Sequence, residues 1–184
     1  MSQSRERSLG SAAQTSAALV SVVMVVGLLE YPLPGLERLG IQPRTLGGLV
    51  GVVCAPLLHA GAPHLMANLL PLFVLVTLLF WDRRYRPEAT LAALWLGSGL
   101  GTWLIGRGGR VHLGASSLIY GLVAYLVTAG VLMRSWRSAG VALLVLFLYG
   151  GIIFGLLPSR GPVSWEGHLS GVIVGVWLAR RDHG

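Results

Sequence analysis

The sequence predicts an all-α integral membrane protein, and three features of its composition and hydropathy support this fold class. Of the 184 residues, 54% are apolar and only 11% are charged, whereas an ordinary soluble domain has about 25% charged residues. A soluble fold of this length could not bury so much apolar surface, because most of its residues lie near the boundary. Apolar residues also recur in runs close to the length that crosses a bilayer. Disorder is excluded, since disordered chains are poor in apolar residues.

Six runs are candidate spanning helices, because a helix needs about 20 apolar residues to cross the hydrocarbon core. The last run is short, but it can gain length past Arg180 and Arg181, whose side chains can reach the headgroups. We expect one domain over residues 1–184, with an N-terminal tail at about 1–10 and a C-terminal tail at 180–184. The candidate spans cover residues 11–29, 64–81, 89–105, 116–133, 139–157 and 167–179.

A further apolar run, residues 46–58, lies between the first two spans and contains three Gly and one Pro. A straight helix of this length would cover only about 20 Å, which is short of the hydrocarbon thickness of about 30 Å. The run is therefore interpreted as part of a long, membrane-dipping connection. Non-helical backbone is tolerated at that depth only where protein or water satisfies its polar groups.

The distribution of arginine predicts the orientation of the helices. The net charge of +7 comes from 14 Arg and no Lys, against seven acidic residues. Because the Arg are scattered between apolar runs, the positive-inside rule explains them better than nucleic acid does, and no nucleic-acid partner is expected. Since cytoplasmic loops are rich in Arg, both termini are expected in the cytoplasm. Nine Arg fall on the side of the termini (5, 7, 83, 84, 86, 134, 137, 180 and 181), and five on the other (38, 44, 107, 110 and 160).

Three sets of polar residues begin alternate spans at the Arg-poor face, where polar groups inside a membrane indicate function. His64 and Asn68 are four residues apart and share one helical face. Each set also has a purely structural explanation, such as an interhelical hydrogen bond, an N-cap or close helix packing. Together, however, a Ser, a His and an amide are the parts of a nucleophile, its base and an oxyanion hole. The sets are His64 with Asn68, Gly114 to Ser117, and His168 with Gly171 and Gly175.

At these residues the sequence resembles the rhomboid family of intramembrane serine proteases, which have a six-helix core. The family's second helix carries His-x-x-x-Asn, as at His64 and Asn68, with an upstream His that matches His59. Its fourth helix begins with Gly-x-Ser, followed one turn later by a Tyr. Its sixth helix carries a His and Gly-x-x-x-Gly. The corresponding residues of this chain are Gly114, Ser116 and Tyr120, and His168, Gly171 and Gly175.

This resemblance implies a Ser–His dyad in which Ser116 attacks the scissile carbonyl and His168 takes its proton. It implies an oxyanion hole formed by His64, Asn68 and the backbone N–H of Ser116, with Tyr120 supporting His168. Substrates would be single-span membrane proteins, cut near the outer face of a prokaryotic plasma membrane. No cofactor or metal is implied. The protein is expected to be embedded in a lipid bilayer.

Ser117 stands where the family usually has Gly, so two adjacent hydroxyls compete as nucleophile. Tyr120 lies four residues after Ser116 and three after Ser117, which modestly favours Ser116 as the residue facing His168. Glu166 is expected to point away from His168, because residues two apart on a helix do not share a face.

Three alternative functions follow from the same sequence. A non-catalytic relative that binds transmembrane clients is the main alternative, but such proteins usually lose the Ser or the His. A small transporter lacks support, because the chain has neither a detectable repeat nor paired interrupted spans. A zinc protease is disfavoured by the lack of His-Glu-x-x-His. The single Cys also excludes a disulfide within the chain.

Overall fold

The computed structural model describes residues 7–33, 35–159, 161 and 163–184. This part of the chain contains seven α-helices and no β-strand, so the predicted all-α fold class is confirmed. Residues 1–6 of the predicted N-terminal tail, including Arg5 of the charge count, lie outside the described residues, as does Arg160. The helices are α1 (Leu9–Leu29), α2 (Val50–Cys54), α3 (Ala62–Trp81), α4 (Pro87–Ile105), α5 (Ser116–Leu132), α6 (Trp136–Tyr149) and α7 (Trp165–His183).

The six long helices coincide with the six predicted runs, but two of them end elsewhere. Helix α7 is not short, since it continues to His183, and the predicted tail at 180–184 is largely its last turn. Its last turn is basic, and cations there interact favourably with the helix dipole. The fifth run, predicted as one span over 139–157, divides into α6 and a 3-10 helix, Gly150–Leu156. The α-helix ends where Gly150 and Gly151 follow, because Gly is a poor helix former.

The apolar run 46–58 folds as α2 between two short 3-10 helices, Gly47–Leu49 and Ala55–Leu57. The run packs against α4. Two indole N–H groups of α4 donate hydrogen bonds to backbone carbonyls in the run or directly before it. Trp95 Nε1 donates to Val53 O at 3.0 Å, and Trp103 Nε1 donates to Thr45 O at 2.8 Å. Protein groups therefore supply partners for irregular backbone, as an apolar environment requires.

Three helical stretches of the described chain are long and apolar enough to cross a membrane. They are Leu9–Leu29, Ala62–Trp81 and the continuous stretch Trp136–Leu156. The last of these is the most exposed, with only 17% of its apolar window buried. A helix whose apolar surface is uncovered by protein is suited to contact with lipid.

Helix α5 is central, since it packs on α3, α4, α6 and α7. Its contact with α7 is the most extensive in the bundle. Small residues make it possible: a Cβ on Gly171 would overlap the carbonyl of Ser117, and a Cβ on Gly175 would overlap the carbonyl of Gly121. Backbones approach closely where such small residues face each other. This approach brings the first turns of α5 and α7 together.

Candidate active site

Ser116 and His168 meet where α5 and α7 begin. Ser116 is the first residue of α5, and His168 lies in the first turn of α7. Ser116 Oγ is 3.0 Å from His168 Nε2, within the range of a hydroxyl-to-imidazole hydrogen bond. His168 is 7% exposed, so the contact is largely shielded from solvent.

The backbone of Gly155 fixes the tautomer of His168. The Nδ1 atom of His168 lies 2.9 Å from the carbonyl oxygen of Gly155. A carbonyl oxygen only accepts hydrogen bonds, so Nδ1 carries the proton and donates it. In the neutral ring Nε2 is then the acceptor, and the Ser116 hydroxyl donates to it. This is the arrangement in which an imidazole can take a proton from a hydroxyl.

Tyr120 supports the imidazole from one face. The rings of Tyr120 and His168 are stacked with centroids 3.9 Å apart and an interplanar angle of 7°. The hydroxyl of Tyr120 donates to Ile152 O at 2.7 Å. Ile152 and Gly155 both belong to the 3-10 helix that follows α6. That 3-10 helix therefore contacts both the imidazole and the ring stacked on it.

His64 presents an N–H to the turn that precedes Ser116. The backbone N–H of Ala60 donates to His64 Nδ1 at 3.3 Å, so the neutral ring carries its proton on Nε2. This edge of the ring faces Gly114, where a Cβ would lie 2.7 Å from His64 Nε2. Gly114 also has φ +109°, a conformation that favours glycine. Both restrictions explain why Gly occupies this turn.

Asn68 lies one turn after His64 on α3 and is 4% exposed. Its Nδ2 donates to the carbonyl oxygen of His64 at 2.7 Å. An amide nitrogen has two N–H groups, so one remains for another acceptor. As the first residue of α5, Ser116 also has a backbone N–H with no partner inside the helix. The two groups are candidate donors to a bound oxygen anion.

His59 packs edge-on against His64, with ring centroids 5.1 Å apart. Its backbone N–H donates to the Glu30 carboxylate, whose oxygens are 2.9 and 3.1 Å away. Burial, with a smaller contribution from His64, lowers the pKa of His59 to about 4. Burial also raises the pKa of Glu30. His59 is thus a neutral neighbour of His64 at pH 7, and among the described residues its ring makes no hydrogen bond to the Ser–His pair.

Ser117 points away from His168. Its hydroxyl lies 3.4 Å from that of Ser98 on α4, a long contact at the edge of hydrogen bonding. Successive residues of a helix are rotated by about 100°, so only one of two adjacent side chains can face α7. In this structure that residue is Ser116.

A cavity of about 800 Å³ opens beside these residues. Its volume is within the usual range for a binding site of roughly 300–1,000 Å³. Apolar side chains make up most of its walls, with polar groups among them. Its lining includes His64, Asn68, Ser116, Tyr120 and His168, together with Arg107, His112, Tyr149, Ile152 and Ser164.

Gly155 and the ion pair of Glu166 were not predicted from the sequence. Gly155 acts through its backbone carbonyl, which no side-chain motif reveals. Glu166 does not contact His168, as expected from its spacing, but its Oε1 lies 2.7 Å from Arg107 Nε. Nothing in the sequence pairs these two charges across 59 positions. No group of three or more potential metal ligands occurs among the described residues.

The long apolar helices and the recessed Ser–His pair define the class of this molecule: a membrane-embedded helical bundle whose largely apolar cavity contains a Ser–His pair. The Rhomboid domain family model matches residues 46–183, which is more than half of the chain. The chain therefore belongs to the rhomboid family and is an integral membrane protein.

The chain is also similar to proteins of mycobacteria and of a plant, and the plant protein is named as rhomboid-like. An uncharacterized protein of Mycobacterium tuberculosis is 43% identical over 175 residues, covering 90% of this chain and 72% of that protein. An uncharacterized protein of Mycobacterium leprae is 40% identical over 174 residues, covering 90% and 68%. RHOMBOID-like protein 5 of Arabidopsis thaliana is 28% identical over 164 residues, covering 82% of this chain and 50% of that protein.

Proposed function

We propose that this protein is an intramembrane serine protease that cleaves single-span membrane proteins with a Ser116–His168 dyad. Membership of the rhomboid family supports a function of this type. The observation that carries the proposal is the hydrogen bond from Ser116 Oγ to His168 Nε2, 3.0 Å long, with the opposite ring nitrogen held by Gly155. A hydroxyl is a weak nucleophile until a neighbouring base removes its proton.

In the first step Ser116 Oγ attacks the scissile carbonyl while His168 Nε2 takes its proton. His168 then returns that proton to the leaving amine. Water attacks the acyl-enzyme while His168 takes its proton, and His168 then gives that proton to Ser116 Oγ as the bond to the acyl carbon breaks and the carboxylic product leaves. The carbonyl of Gly155 takes the orienting role that a carboxylate has in a triad, since it keeps the proton on Nδ1 throughout.

The negative charge that develops on the carbonyl oxygen needs preorganised donors. The Nε2–H of His64, the free N–H of the Asn68 amide and the backbone N–H of Ser116 are suited to this role. Removing one such donor typically costs about 2.7–4 kcal/mol of transition-state stabilisation. Gly114 lets the ring of His64 approach the serine turn.

The proposed orientation places both termini in the cytoplasm and opens the cavity to the outer face of a prokaryotic plasma membrane. It rests on the arginine distribution. Contacts at the end of the bundle opposite the cavity support a common basic side. Arg84 donates to Ser135 Oγ at 3.3 Å, and Arg86 lies 3.4 Å from Asp182 near the C-terminus. The connections α3–α4 and α5–α6 and the end of α7 therefore meet there.

The deciding experiment purifies the full chain in detergent and incubates it with a single-span reporter protein. Cleavage by the wild type that is absent in Ser116→Ala supports the proposal. Labelling of Ser116 by a fluorophosphonate probe gives a readout that does not depend on the choice of reporter. A folded wild type that neither cleaves any of a panel of reporters nor reacts with the probe would contradict it. Binding of intact reporters by such a protein would indicate the client-binding alternative.

A further inference from the structure

The side chain of Arg107 links two connections between helices, one leading into Ser116 and the other leading into His168. It lies in the connection 106–115, which enters α5 at Ser116. Its guanidinium donates to Ser159 O at 2.9 Å and to Val163 O at 2.8 Å, both in the connection between α6 and α7. One side chain therefore bridges the two connections that lead into the helices of the proposed dyad.

The same guanidinium also reaches the first turn of α7. Arg107 Nε is 2.7 Å from Glu166 Oε1, and Glu166 is 2% exposed. Neither carboxylate oxygen accepts a geometrically proper hydrogen bond from the described residues, so the contact is one of charge. A buried carboxylate needs such a partner, because a lone buried charge is strongly disfavoured. Glu166 is two residues from His168, so its anchoring bears directly on the position of the imidazole.

His112 makes a second link between the two connections. Its Nε2 lies 3.1 Å from Arg107 O. A carbonyl oxygen only accepts hydrogen bonds, so Nε2 carries the proton. Its Nδ1 then accepts a hydrogen bond from Ser164 Oγ, 2.6 Å away. Ser164 Oγ in turn accepts from the N–H of Gly167 at 3.3 Å and caps α7. His112 thereby anchors both the main chain of Arg107 and the start of α7.

From this geometry we infer that Arg107 is a positioning residue for the reaction, which sets the Ser116–His168 distance through the α6–α7 connection and Glu166. The inference rests on the proposed function. Arg107 lines the cavity but makes no hydrogen bond to Ser116 or His168, so its effect on the dyad passes through the segments that it joins. A displacement of about 1 Å in a catalytic group can lower a rate about 10²-fold. The planar fork of Arg binds several acceptors at fixed angles, which the single ammonium of Lys cannot do.

The test compares variants of the full chain in one detergent by the rate of fluorophosphonate labelling and by kcat and KM for the reporter. For Arg107→Met we expect kcat and the labelling rate to fall about 10- to 100-fold, with KM changed less than about twofold. Arg107→Lys should restore only a small part of the rate. Glu166→Gln keeps the two carbonyl hydrogen bonds of Arg107, so a loss of about fivefold is expected. Arg38→Met is the matched control, because Arg38 is exposed and distant in the chain from both connections.

Thermal unfolding of each variant separates positioning from folding. An Arg107→Met protein that unfolds near the wild-type temperature and labels at the rate of Arg38→Met overturns the inference. If Arg107→Met does not fold, Glu166→Gln decides: a loss of several fold supports the inference, and a wild-type labelling rate overturns it. A wild type that is folded but unreactive would instead refute the proposed function.

Discussion

The Nδ1–H of His168 donates a hydrogen bond to the carbonyl oxygen of Gly155, 2.9 Å away and 13 residues earlier in the chain. This bond fixes which ring nitrogen faces Ser116. Gly155 belongs to the 3-10 helix after α6, which also accepts a hydrogen bond from Tyr120 through Ile152. The orientation of the imidazole thus depends on an element outside the two helices that carry the dyad.

Ser116→Ala and His168→Ala should each abolish cleavage without unfolding the protein. A dyad acts as a unit, so the double variant should be no worse than either single variant. Reporter cleavage and thermal unfolding of all three proteins in the same detergent provide the measurement. Clear residual activity in both single variants would rule out the dyad.

Asn68→Ala should lower the cleavage rate roughly 10²- to 10³-fold if its amide donates to the oxyanion. The measurement is kcat for the reporter, beside a matched control on the same helix. Leu70→Ala suits this purpose, because Leu70 is 67% exposed and does not line the cavity. An unchanged rate in Asn68→Ala would remove this residue from the site.

Cleavage should become faster as the pH rises from 5 to 8. His168 must be neutral to accept the proton of Ser116, and an ordinary imidazole loses its charge at a pH of about 6.5. The activity is therefore present above the pKa of the base and lost below it. The profile of kcat/KM checks this, with protein stability followed over the same range. A flat profile would argue against a histidine base.

Ser117→Gly should keep the activity or raise it. The hydroxyl of Ser117 makes only a long contact with Ser98, at 3.4 Å, so little stability is lost. Glycine would also relax the turn that positions the backbone N–H of Ser116. The fluorophosphonate probe should still label Ser116 in this variant. If labelling vanished in Ser117→Gly but survived in Ser116→Ala, the nucleophile would be Ser117.

Tyr120→Phe should reduce the rate less than Tyr120→Ala. Phenylalanine keeps the ring stacked on His168 but loses the hydrogen bond to Ile152 O, worth about 1 kcal/mol. Alanine loses both interactions and leaves a gap beside the imidazole. Measurement of kcat for the two variants separates the stack from the hydrogen bond. Equal losses in both would show that the hydroxyl, and not the stacked ring, supports the base.

Much of the fold could be predicted because hydropathy is a local property. Runs of apolar residues located the six long helices to within a few residues at most ends. Their ends were less predictable where local preferences compete. Gly150 and Gly151 divided the fifth run into α6 and a 3-10 helix, and basic residues at the end of α7 extended the sixth run. Whether each helix spans a bilayer stays a prediction from length and composition.

By itself the sequence determined the helical membrane class and the residue types available for chemistry, because periodicity and motif spacing are written along the chain. Only the tertiary structure decided which groups meet. In the folded chain Ser116, and not Ser117, faces His168, and Gly155 O accepts the hydrogen bond of the imidazole. Arg107 pairs with Glu166. The physical reason is that these contacts join segments distant in the chain, and one of them uses a backbone carbonyl that every residue possesses. The close packing of α5 on α7 brings Ser116 and His168 together, and the Gly-x-x-x-Gly pattern of α7 permits such packing without specifying the partner helix.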